Sequence, residues 1–232
     1  MIKNNSGYGM GAAEASVRVL TPMAIHWCMS FVLKSIVENV RLHVDAAFLT
    51  TWAAVFTLPI LWKLFRQDER MRRVADGMGV MFPRRTSPRP AFGWKDGLRI
   101  CVLALICNLV LTIPVNLIAE ALQLNNAVQE GLFAGNLFFQ IVGVAVIVPI
   151  MEEVLFRGLV YERLKDYNKE WLSALIAAAL FAVYHENAIQ ILFAFPMGCI
   201  LIAVYRRWGT LRAPVIFHIT VNLSSVLMTA WR

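Results

Sequence analysis

The feature that most limits what this chain can fold into is a series of apolar runs, each close to the length needed to cross a lipid bilayer. Seven can be marked, at about 21–39, 46–64, 99–119, 131–151, 171–187, 188–205 and 213–231. A hydrocarbon core of ~30 Å takes about 20 helical residues at ~1.5 Å each. In lipid every backbone N–H and C=O has to be satisfied within the protein, so only helices and closed barrels span it. None of the runs shows the two-residue alternation of a barrel strand. The expectation is an all-α, polytopic transmembrane helix bundle of about seven (six to eight) helices, forming a single integral membrane domain over 1–232. The first run is the least regular, because Lys34 and Glu38 interrupt it.

Composition agrees. The chain is 59% hydrophobic and only 16% charged, whereas soluble domains carry about 45–50% apolar and about 25% charged residues. Its formal charge of +7 is read as cytoplasmic loops facing anionic headgroups, so membrane lipid is an expected partner and nucleic acid is not. Cys28, Cys101, Cys107 and Cys199 all fall in apolar runs without a CxxC pair. They read as small buried apolar residues rather than disulfides. Residues 1–20 lack the charged-then-apolar pattern of a removable leader, so none is expected there. The terminal Thr229-Ala230-Trp231-Arg232 is not a prenylation signal.

Orientation follows from the basic residues. With the N-terminus inside, segments 1–20, 63–99, 157–170 and 206–212 are internal and hold 2, 10, 4 and 3 of the 22 Lys and Arg. That bias predicts a multi-pass protein of a cell or inner membrane with a cytoplasmic N-terminus. The one substantial stretch outside the membrane is about 65–98, expected as a basic loop against headgroups. Its Pro83, Pro88 and Pro90 preclude a regular helix there.

Ionisable side chains inside membrane helices are costly and usually mark function. Here they gather in three groups within about 131–232. The first is Glu152-Glu153-Val154-Leu155-Phe156-Arg157. Glu153 and Arg157, at i and i+4, can pair on one helical face, which leaves Glu152 pointing about 100° away. The second is Phe181-Ala182-Val183-Tyr184-His185. The following Glu186 begins a zinc-protease HExxH, but Ile189 stands where the second histidine would be. The third is His218-Ile219-Thr220-Val221-Asn222, whose imidazole and amide share one face of the last run. Taken singly, these read as a solvated helix end, an interfacial histidine and helix-to-helix hydrogen bonding.

Together, the set EExxxR, FxxxH and HxxxN resembles the CPBP intramembrane protease family. This family is also called Abi or CAAX-protease-like, and it includes the type II CAAX prenyl endopeptidases. Residues 131–232 carry the resemblance as a catalytic core, and all three motifs stand without departure. The resemblance implies an endopeptidase that hydrolyses a peptide bond of a membrane-bound or lipidated protein or peptide. Glu152 with His185 would position and deprotonate a water, while His218 and Asn222 would donate to the oxyanion. Glu153, Arg157 and Phe181 would support the site. A carboxylate in a poorly solvated cleft suits the role of general base near neutrality. Donors aimed at an oxyanion contribute about 3–4 kcal/mol each.

Helix arithmetic adds a check. If the helix through Glu152 runs to about Asp166, Glu152 and His185 both lie roughly 22–24 Å from the turn near 167–169. They would face each other far from the inner membrane face, whereas the resemblance implies a site open to the cytosol.

No cofactor is expected. The alternative is Zn2+ held by Glu152, His185 and His218 with one open position; asparagine is a poor zinc ligand, so Asn222 favours metal-free chemistry. The rival functions are a non-catalytic scaffold or signalling partner of the same fold, and a transporter. A transporter should carry matching discontinuous helices in two halves, but the polar groups here lie in one half. No GxSG serine or GxGD aspartyl motif is present. The sequence specifies no oligomeric state.

Overall fold

The computed structural model describes residues 11–79, 91–125 and 127–231. They form helices α1 (Ala12–Val40), α2 (Ala46–Gly77), α3 (Trp94–Ala121), α4 (Ala127–Phe133), α5 (Phe139–Leu164), α6 (Glu170–Val183), α7 (Ala188–Trp208) and α8 (Arg212–Ala230), with no strand among the described residues. All but α4 and α6 are long and apolar enough to cross a membrane. The expected helical bundle is what the chain forms.

Helix ends follow capping chemistry. Asp45 opens α2, accepting from the Phe48 N–H at 2.7 Å, and its second oxygen accepts from the Asn136 N–H at 2.7 Å. One carboxylate thereby ties the start of α2 to the loop before α5. Asn187 opens α7 by accepting from the N–H groups of Ile189 and Gln190, both at 3.1 Å. Gly209 closes α7 at φ 66°, a conformation that costs glycine nothing.

The central helix is α5: 67% of its most apolar stretch is buried, against 22–44% in the other spans. Helices α1, α2, α6 and α8 pack on it, and outer faces such as Leu105, Leu109 and Ile113 of α3 are exposed and apolar, which suits contact with lipid tails. Close helix contact is set by missing side chains. A Cβ on Gly143 would collide with Thr51 of α2, and one on Gly198 would press on Ala178 and Phe181 of α6 at 3.1–3.3 Å. α6 and α7 thus form a tight antiparallel hairpin. Its far end is pinned where Arg206 pairs with Glu170 at 2.9 Å.

Several sequence boundaries move. The stretch 65–98 is not all loop: α2 continues to Gly77 and α3 begins at Trp94, while Pro83, Pro88 and Pro90 lie outside the described residues. The extension of α2 is held by buried charges in the stretch expected as a basic loop against headgroups. Asp68 accepts from Arg163 Nε at 2.7 Å, and Arg72 pairs with Asp166 at 2.8 Å. Arg18 of α1 joins them, donating to Asp166 at 3.0 Å. The run 131–151 resolves into the end of α4, a break, and the first half of α5. α1 begins at Ala12, well before the apolar run, and Lys34 and Glu38 sit exposed on its surface 4.0 Å apart.

Candidate active site

The site grows from the middle of α5. On both sides of Val148–Glu153 this helix is wound in wider, π-type turns, over Phe139–Ile147 and Val154–Tyr161. Such turns recur at functional sites. Glu152 and Glu153 therefore sit on a short α-helical segment between two expanded ones. Both are buried, as is His218, in the core of a helix bundle.

Glu153 is the structural member of the pair. Its Oε1 accepts from Arg157 at 2.9 Å, the i, i+4 contact expected from spacing, and from His218 Nδ1 at 2.8 Å. Arg157 is fully buried and also donates to the Gly198 carbonyl at 3.3 Å. Its guanidinium lies 4.4 Å from the centre of the Phe181 ring, a cation–π contact. Phe181 in turn meets His185 edge-on at 4.9 Å and His218 at 5.8 Å. Phe181 thus holds three site residues by packing, and Arg157 is held by Glu153, the Gly198 carbonyl and the Phe181 ring.

The histidines have defined hydrogen-bonding roles. A carbonyl only accepts, so His185 Nδ1, 2.8 Å from the Phe181 carbonyl, carries the proton there. In the neutral ring its Nε2 is left as an acceptor facing the cavity. His218 Nδ1 donates to Glu153, which turns Nε2 toward Glu152 Oε2 at 3.6 Å. A bare lone pair facing a carboxylate would be repulsive. Glu152 and His218 therefore suit each other as holders of a shared proton.

Asn222 is one turn beyond His218 on α8. Its amide donates to the Val144 carbonyl of α5 at 3.0 Å, leaving the second amide hydrogen for another acceptor. Glu152, Phe181, His185, His218 and Asn222 all line one cavity of about 1150 Å³. No direct bond joins His185 to Glu152; His218 is the histidine that contacts this carboxylate. Among the described residues no three His, Cys, Asp or Glu side chains converge as a metal-binding group.

The sequence reading missed two residues of the cavity wall. His26 of α1 is buried, 3.2 Å from the Thr57 hydroxyl and 3.3 Å from that of Ser30. The rule that flagged His185, an ionisable side chain inside an apolar run, applies equally to His26. Tyr184 packs against His26, Trp27 and Phe156 at 5.6, 6.0 and 5.2 Å. Its buried hydroxyl has no hydrogen-bond partner among the described residues.

Comparison with known proteins falls on this same region. Residues 134–224 match the family model described as type II CAAX prenyl endopeptidase Rce1-like. That interval contains α5, α6, α7 and all the site residues of α8. Two curated proteins are similar. One, from Bacillus subtilis (strain 168), bears the name "Putative membrane peptidase YdiL" and is 25% identical over 84 residues, 36% of this chain and 34% of that protein. The other is UPF0177 protein YaiH of Lactococcus lactis subsp. lactis (strain IL1403), 29% identical over 86 residues, 37% of this chain and 35% of that protein. The matched part spans about a third of the length of each relative. No solved structure matches the chain. These matches bear out the resemblance to the CPBP family that the three motifs carry.

Proposed function

We propose that the chain is an intramembrane endopeptidase that hydrolyses a peptide bond of a membrane-associated or lipidated protein or peptide with a glutamate-activated water. The observation that carries this reading is the chain of contacts Arg157–Glu153–His218–Glu152, buried in the bundle and ending at a cavity. A structural ion pair would end at Glu153. Here the relay goes two residues further, through His218 to the Glu152 carboxylate, which among the described residues has no Lys or Arg in an ion pair with it.

Glu152 takes a proton from the water as its oxygen attacks the scissile carbonyl. His185, whose Nε2 accepts, orients the second water hydrogen. The carbonyl oxygen becomes an oxyanion and meets two donors. One is the free amide hydrogen of Asn222. The other is His218 Nε2 when the ring carries both protons, its Nδ1–H already bound to Glu153. Collapse of the tetrahedral species breaks the C–N bond, and the proton held by Glu152 passes to the leaving amine. A positioned base of this kind is worth roughly 10²–10⁴ in rate, and each oxyanion donor about 10²–10³.

The test is cleavage of a membrane-peptide library by purified protein in lipid, wild type against Glu152→Ala, with and without a chelator. Cleavage that is lost in Glu152→Ala and survives the chelator is expected. Equal cleavage by the variant would remove Glu152 from the mechanism. Cleavage by neither protein would favour a scaffold of the same fold.

A further inference from the structure

We infer, building on the peptidase reading, that the site is fed from the non-cytoplasmic side of the membrane. Its substrate is then a membrane-inserted peptide segment whose scissile bond lies toward the outer leaflet. Three observations lead there.

The first is where the cavity opens. Its outer wall comes from the ends of α1 and α3, the first turns of α2 and α7, the short α4 and the last turn of α8, with Ser30, Glu120, Gln123, Glu130, Gln190 and Thr229 among the polar residues. These are all at the end of the bundle that carries the α1–α2 and α6–α7 connections. The α2–α3, α5–α6 and α7–α8 connections lie at the other end.

The second is the length of α6. It has 14 residues, a rise of about 21 Å, so it stops short of a ~30 Å hydrocarbon core. The turn after it, with His185 and the left-handed Glu186 (φ 53°), consequently lies within membrane depth. Irregular backbone at that depth is tolerated where it is buried in protein or lines a water-filled space. The shortfall of α6 and the polar wall of the cavity describe the same space: a wet vestibule leading from this end down to Glu152.

The third is charge. Among the described residues, segments 11–20, 63–79, 91–99, 157–170 and 206–212, at the opposite end, hold 15 of the 17 Lys and Arg, of which Arg157 is buried in the site. Among the described residues the open end carries Lys34 and Arg41 against Glu38, Asp45, Glu120, Glu130 and Glu186. Basic segments stay in the cytoplasm. The vestibule therefore faces away from it, opposite to what cleavage of a cytosolic prenylated tail requires.

The experiment reads orientation and cleavage separately. In a background with Cys28, Cys101, Cys107 and Cys199 replaced by alanine, Glu120→Cys, Glu130→Cys and Lys169→Cys are labelled with a membrane-impermeant maleimide. Intact cells and inverted vesicles are compared. The inference expects Glu120→Cys and Glu130→Cys to react in intact cells, and Lys169→Cys only in inverted vesicles. The reverse pattern overturns it whether or not the protein cleaves anything. Two single-span reporters carrying the same randomised segment, at the outer or the inner boundary, are then offered to wild type and Glu152→Gln in proteoliposomes. Preferential wild-type cutting of the outer reporter supports the inference. Preferential cutting of the inner one overturns the stated substrate while leaving the peptidase reading intact. Expected labelling with neither reporter cut upholds the outward vestibule and counts against the peptidase reading.

Discussion

The side-chain amide of Asn222 donates to the backbone carbonyl of Val144, 3.0 Å away on the neighbouring helix. The reason lies five residues along α5. In this stretch the N–H of Val148 reaches back to the Gly143 carbonyl, an i→i−5 bond. The same winding would satisfy Val144 from position 149, which is proline and has no N–H to give. Asn222 supplies the missing hydrogen, and in doing so it fixes α8 against the turn that precedes Glu152.

This dual use of Asn222 is separable. Asn222→Ala is expected to lower both turnover and stability, the latter by about 1–3 kcal/mol, since a buried carbonyl loses its donor. Adding Pro149→Ala to Asn222→Ala restores a backbone N–H near Val144. The double variant should regain stability in thermal unfolding in detergent, while turnover stays down by roughly 10²–10³ for want of the oxyanion donor. If turnover returned along with stability, the role of Asn222 would be purely structural.

Glu153 and Arg157 make a second prediction. Both are fully buried, so removing either one strands the other. Glu153→Leu or Arg157→Met alone should cost about 3–5 kcal/mol, whereas the two together should cost much less. A double-mutant cycle on thermal unfolding measures the difference. Glu153→Leu should also impair catalysis in the protein that does fold, because His218 loses the acceptor at Nδ1.

The three motifs and their helices were legible because they are local. Contacts at i and i+4, such as Glu153–Arg157 and His185 to the Phe181 carbonyl, follow from helix geometry alone. The boundary of about one membrane crossing per apolar run was legible for the same reason. What the sequence hid is long-range. The 3.6 Å approach of His218 to Glu152 depends on how α8 crosses α5, and no spacing rule encodes that. The Asp68–Arg163 pair joins residues 95 positions apart, so from sequence Asp68 and Arg72 are read only as part of a basic loop against headgroups. The π-type turns of α5 left no sequence signal beyond Pro149. They are set by the close passage of α2 over Gly143 and by the reach of Asn222.

That hidden charge cluster is predicted to be structural only. Asp166 receives Arg72 at 2.8 Å and Arg18 at 3.0 Å, joining α1 and α2 to the end of α5. Asp166→Asn removes the carboxylate that pairs with the buried Arg72 and the half-buried Arg18, a loss of about 3–5 kcal/mol. Arg163 follows Glu152 by 11 residues on the same helix, a separation of roughly 16 Å. Turnover per folded molecule should therefore hold, and thermal stability should fall. High salt should change little, because buried pairs are poorly screened. A variant that kept its stability would show that the cluster contributes nothing net.

Tyr184 gives the opposite case. Its hydroxyl is buried beside the cavity with no hydrogen-bond partner among the described residues, and the ring is held by His26, Trp27 and Phe156. Packing therefore holds the side chain, while the hydroxyl adds a desolvation cost that no protein bond offsets. Tyr184→Phe keeps every ring contact and removes only the oxygen. It should leave thermal stability unchanged or raise it by up to about 1–3 kcal/mol, the usual cost of an unsatisfied buried polar group. Tyr184→Leu is the control. It loses the contacts with Trp27 and Phe156 and should destabilise by a few kcal/mol, as truncation of a packed aromatic does. Unfolding measured on both variants separates the two contributions. A clear loss of stability in Tyr184→Phe would mean that the hydroxyl is bonded in the folded protein, and the packing account of Tyr184 would have to be replaced.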